Sequence, residues 1–234
     1  MPLPKPTRPE YSCTIPSSGK RIKYQPFSVK EEKILILASE SQDMDEITNA
    51  ITNVLNNCVT TAGFDVKDLA LFDIEFLFLK TRAKSVGEKL AVKVTDPNDP
   101  TYTVDHEIDI DKIEIQKTKG HTDLIDLGGG TSVKMGYPDI NFFAEGVNVN
   151  TIGERLDLAA KCVKQIIVGD EVYNKEDTTE AETEDWLEGL TAEQFTKIMN
   201  FFLTMPKLKH SFTLKNKNTG EDFTITLEGL ADFF

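Results

Sequence analysis

The acidic segment from Asp96 to Glu107 invites a metal-binding reading, because Asp96, Asn98 and Glu107 fall at the first, third and twelfth positions of a calcium loop. The match fails where such a loop is most demanding: Pro100 stands at the fifth position and Thr101 where the sharp turn needs glycine. Asp105, Glu107, Asp109 and Asp111 would share one face of an extended strand, with Ile108 and Ile110 on the other. That face is either solvated or a surface for a basic partner. Ser18-Gly19-Lys20 ends like a phosphate-binding loop but lacks the earlier glycine, the hydroxyl after the lysine and the strand-to-helix setting. Gly128-Gly129-Gly130 lies between two strand-like runs and not ahead of a helix, which makes it a turn or bulge and not an anion cradle.

Nucleophiles and bases give no firmer constellation. His106, His121 and His210 form no His-x-x-x-His pair and join no Cys/His cluster, which argues against a zinc hydrolase. Cys13, Cys58 and Cys162 are odd in number and scattered, so neither a disulfide framework nor a zinc knuckle is expected. Cys58 falls in an amphipathic helical pattern and reads as a buried structural thiol. Gly-x-Ser-x-Gly is absent, and carboxylates are so abundant that their number marks no glycosidase pair. The expectation is a non-enzymatic chain with no catalytic residue, no cofactor and no metal.

What remains is docking. Asp73 to Leu79 is a block of large apolar side chains, followed by Lys80, Arg82 and Lys84 before Gly87. A helix buried along its first half would carry these cations at its C-terminal end, where they suit the negative end of the helix dipole. They are also the candidate exposed contacts to a partner. Phe233 and Phe234 give the chain an apolar end, which packs a core or meets another subunit.

The formal net charge of −13 and pI near 4.7 argue against phosphate neutralisation and hence against nucleic acid. No apolar run approaches the roughly 20 residues needed to span a bilayer, and the first ten residues lack an apolar h-region. A soluble, unsecreted protein folding in a reducing cytoplasm is expected, without a membrane partner.

The elements that would position these groups follow from period and punctuation. Residues 1–10, with four prolines, read as an extended arm ordered by a partner. Residues 11–87 open with a hairpin around Pro16-Ser17-Ser18-Gly19 and continue in helices. Ser28 with Glu31 is a capping box, and Asp43 with Glu46 repeats the signal. A further helical region, 66–86, is expected to break near residues 71–73. Residues 88–169 alternate with period two, forming an antiparallel sheet, before the capping box Thr151/Glu154 opens a helix through Leu156, Val163 and Ile167 to Gly169. Residues 170–188 read as an acidic linker or solvated surface that Trp186 and Leu187 reattach to the core. Residues 189–234 combine a helix capped by Thr191 and Gln194 with a C-terminal hairpin. The predicted class is α+β: antiparallel hairpins and a small central sheet with packed amphipathic helices.

Several stretches together suggest a family. These are Ile15-Pro16-Ser17-Ser18-Gly19-Lys20 through Tyr24-Gln25-Pro26-Phe27, Val29-Lys30-Glu31-Glu32-Lys33, the block from Asp73 to Lys80 with Arg82-Ala83-Lys84-Ser85-Val86-Gly87-Glu88, and the ending Leu227 to Phe234. In this order the chain resembles the baseplate hub subunit and hub assembly protein family of T-even-type contractile-tailed bacteriophages. The resemblance implies a late structural or assembly protein of the central baseplate, built in the host cytoplasm and located in the virion tail. Its partners would be other hub and tail proteins, with an oligomer left open. A tail assembly chaperone absent from the mature virion is the alternative, and a tail-associated cell-wall hydrolase is a third reading.

Overall fold

The computed structural model describes residues 6–141, 151–229 and 233. In chain order the elements are β1 (Tyr11–Thr14), β2 (Arg21–Tyr24), α1 (Val29–Ser41), α2 (Met44–Cys58), α3 (Leu71–Ser85), β3 (Lys89–Asp96), β4 (Asp99–Asp109), β5 (Ile115–Gln116), β6 (Leu124–Gly128) and β7 (Thr131–Met135). Then come α4 (Ile152–Cys162), β8 (Val163–Val168), β9 (Glu171–Asn174), α5 (Glu180–Glu188), α6 (Ala192–Thr204), β10 (Lys207–Lys215) and β11 (Asp222–Glu228). Short 3₁₀ turns at Val66–Asp68, Ile110–Lys112 and Lys175–Asp177 complete the described set. Among the described residues all strand pairs are antiparallel and lie in small open sheets, so the fold is α+β.

The chain divides into two compact units, Met1–Gln116 with Lys207–Phe234, and Lys117–Pro206. In the first, α3 is buried almost all round, from Phe72 and Asp73 through Leu79 to Thr81 and Ala83. An apolar run too dense for a single stripe needs cover on every side. Part of that cover is a cluster in which Leu79 and Ala83 meet Ile108, Ile110, Ile113, Leu208 and Phe233. The hairpins β3–β4 and β10–β11 are clasped near their tips by a buried amide. Asn216 Nδ2 donates to Asp96 Oδ2 at 2.7 Å and to Asp99 Oδ2 at 3.2 Å, while its Oδ1 accepts from the Asn218 and Thr219 amides. Asp96 and Asp99 of the calcium-like segment therefore serve a polar clasp between two turns.

The second unit is a sheet of order β6-β7-β8-β9 packed with α4, α5 and α6 around Val133, Ala159, Leu187, Ile198 and Phe201. The β6–β7 turn is the triple glycine, with φ of 85°, 63° and 78° at Gly128, Gly129 and Gly130. Three consecutive left-handed residues are open only to glycine at little strain.

Three expectations need correction. The helix opened by Thr151 stops at Cys162, and Val163 to Val168 is a strand paired with β7 and β9. The β-branched residues Val163, Ile166, Ile167 and Val168 suit the pleated surface, and the apolar run satisfies both periods. Residues 170–188, read as an acidic linker or solvated surface, are largely exposed but carry regular structure: they contain β9 and α5, the latter opened by a capping box of Thr179 and Glu182. The N-terminal arm is held by its own chain where it is described. Arg8 donates to the Pro26 carbonyl at 2.8 Å, and Glu10 pairs with Lys23 at 2.8 Å and accepts from Thr60 at 2.9 Å. Residues 1–5 of that arm lie outside the described residues.

Burial explains the thiols. It pushes Cys58 and Cys162 up to about 12 and Cys13, half-buried, up to about 11. At pH 8 native protein is expected to leave Cys58 and Cys162 unalkylated by iodoacetamide and to react slowly at Cys13, with all three labelled in denaturant. Rapid native labelling of Cys58, read by peptide mass spectrometry, would contradict the packing.

Among the described residues, no helix is long and apolar enough to cross a membrane.

Candidate docking surface

The basic trio at the end of α3 is not an exposed row. Lys84 Nζ lies 2.8 Å from Asp111 Oδ2 and 2.5 Å from Glu88 Oε1, and 5.6 Å from the centroid of the Tyr11 ring. Hydrogen bonding to Asp111, then to Glu88, holds its pKa above the ordinary lysine value. Lys80 donates to the Asp111 carbonyl, approaches Asp111 Oδ1 at 3.7 Å and lies 5.3 Å from the Phe76 ring centroid. Both lysines thus fasten α3 to the 3₁₀ turn at Ile110–Lys112, which also takes Asp111 off the acidic strand face. The remaining members of that face are partly paired, Glu107 with Lys89 and Asp109 with Lys112 at 2.7 Å. Asp105 stays exposed with no ion pair among the described residues.

Arg82 has a different setting. Its half-buried guanidinium makes no hydrogen bond or ion pair among the described residues, and burial lowers its pKa. It lines a cleft of about 260 Å³ with Phe27, Leu35, Ile36, Phe78 and Val86, bordered by Glu32 and Glu40 of α1.

The cleft continues onto an apolar surface that follows from the pattern of α1. At 100° per residue, Glu31, Leu35 and Ala38 fall on one stripe, which is buried. Val29, Ile36 and Leu37 fall opposite it and remain 80%, 52% and 54% exposed, with Lys33 on the same side. Val86, at the other wall of the cleft, is 57% exposed. Single exposed apolar residues are ordinary, but three on the outward side of one helix, with Ile36 also lining an apolar cleft, mark a candidate interaction surface. Fully burying each such side chain is worth about 1.5–3 kcal/mol, so covering Val29, Ile36 and Leu37 would contribute on the order of 3–5 kcal/mol before the entropy of association.

Phe233 is fully buried beside Leu79 and Leu208, so its apolar contact is made inside its own unit. Phe234 lies outside the described residues. The other groups weighed as chemistry are packed or dispersed. His121 sits between Thr204 and Tyr137, at 3.0 Å from each hydroxyl, and burial lowers its pKa. His106 stacks on Phe212 at 4.4 Å, and His210 tilts towards the same ring at 5.9 Å. Asp157, Glu180 and Glu184 bring carboxylate oxygens within 4.8 Å of one another, but Asp157 is paired with Lys161 at 3.2 Å.

Sequence reasoning named Arg82 but missed the α1 surface. The signal was Ile34-Leu35-Ile36-Leu37, four consecutive apolar residues in a helix, which cannot all face one core.

The model of a protein family described as T4 bacteriophage base plate protein matches residues 8–234. Neither the comparison with curated proteins nor that with solved structures finds a match.

Proposed function

Because the chain belongs to the T4 bacteriophage base plate protein family, we propose that it is a structural or assembly component of the central hub of the tail baseplate, acting by docking to neighbouring hub and tail proteins. The observation that carries the docking part is the outward apolar face of α1 beside the cleft with Arg82. A phage particle is built by adding subunits to one another, and a helix that is apolar on two faces is half of such a joint. In this reading the protein makes and breaks no covalent bonds. That view is supported by its buried thiols with raised pKa values and by histidines packed against aromatic rings. Its place is the virion tail, reached by assembly in the host cytoplasm.

Mass spectrometry of purified, intact tails tests the proposal. The protein is expected in tails and in isolated baseplates, in a fixed ratio to the other hub proteins. Its absence from finished tails, with baseplates failing to form without it, would replace the hub reading by that of an assembly chaperone.

A further inference from the structure

Resting on the docking reading above, we infer that the cleft between α1 and the C-terminal half of α3 receives an amphipathic helix of a different tail protein, one that sets apolar side chains on Ile36 and Val86 and a carboxylate on Arg82. Val29 and Leu37 of the same helix are exposed outside the cleft as well, which is more apolar surface than a small molecule lodged in about 260 Å³ would cover. One wall of the cleft is helix α1, 13 residues long, and the other is the last turns of α3, so a third helix lies naturally in the groove they make.

Charge selects among possible helices. Arg82 is half-buried without an anion, and burial already disfavours its charged form; a planar guanidinium is suited to bidentate pairing with a carboxylate. Glu32 and Glu40 border the cleft, and neither carries an ion pair among the described residues, which favours cations at the edges of the incoming helix. The occupant is therefore apolar along one stripe, acidic at one point within it and basic at its margins. A second copy of this chain is disfavoured by the repulsion between two bodies each of formal net charge −13.

A photo-crosslinking amino acid at position 36, introduced into the full chain in infected cells, reads the occupant directly. The side chain there is half exposed, so the replacement leaves the core intact. Sequencing of the cross-linked peptide is expected to show another tail protein, with apolar residues at helical spacing and an Asp or Glu within one turn. Arg82→Met keeps the apolar stem and should lower the cross-link yield by about tenfold, the size expected for a close interfacial charge pair, with the thermal midpoint of the isolated protein unchanged. Cross-linking to this chain or a second copy, to a segment without an acid, or to nothing would overturn the inference, as would a yield indifferent to Arg82→Met. A protein found in purified baseplates but silent at position 36 defeats this inference alone, whereas one absent from baseplates defeats the hub reading.

Discussion

Replacing Phe233 by alanine is expected to destabilise the unit formed by Met1–Gln116 and Lys207–Phe234 by about 3–5 kcal/mol, the usual range for removing a buried phenylalanine. The ring is fully buried and meets Leu79, Ala83, Ile108, Ile110, Ile113 and Leu208, contributed by α3, β4 and β10 and the residues around the 3₁₀ turn. Loss of the ring leaves a cavity that several elements at once would have to move to fill. Chemical denaturation monitored by far-ultraviolet circular dichroism measures the shift. Leu203→Ala is the comparison, because Leu203 is 75% exposed and its truncation should change stability by no more than about 0.5 kcal/mol. Equal effects of the two variants would show that the chain end does not pack as described.

The second large effect is expected at Asp73, a carboxylate with no exposed surface in the first turn of α3. It accepts the Ser17 amide at 3.0 Å through Oδ1 and the Ser17 hydroxyl through Oδ2, so the turn of the first hairpin hangs on the start of the central helix. The helix N-terminus favours the negative charge in the same place. Asp73→Ala removes the acceptor from two donors in a buried site and should cost about 2–4 kcal/mol. Ser17→Ala, which keeps the backbone N–H hydrogen bond to Asp73 Oδ1, should cost only about 1 kcal/mol. Urea titrations of the two variants decide between this and a peripheral role. If Asp73→Ala lost no more than Ser17→Ala, the carboxylate would not be anchoring the hairpin.

Local signals carried most of the elements. The capping boxes of Ser28 with Glu31, Thr151 with Glu154 and Thr191 with Gln194 all open helices. The equivalent box of Thr179 with Glu182 was hidden by the acid-rich composition around it, although its spacing is the same. Val163 to Val168 was harder, because its apolar residues can serve as the end of an amphipathic helix or as a half-buried strand, and pairing with β7 decides. Docking residues were less legible than elements. That Lys80 and Lys84 would find Asp111, about thirty positions on, is a matter of tertiary geometry that no local pattern encodes. The same holds for Ser17 and Asp73, 56 positions apart, and for Phe233, whose place beside α3 depends on how the C-terminal hairpin returns. Arg82 differs from its two neighbours because its side of α3 faces the cleft, where Glu32 and Glu40 are present but neither comes within ion-pair distance of it.

A density map of the isolated baseplate tests the central claim most directly. The account predicts this chain in the central part of the assembly, with the face carrying Val29, Ile36 and Leu37 covered by a helix of another tail protein. A map in which that face of α1 stands open to solvent, while the chain touches its neighbours elsewhere or is missing, would contradict it.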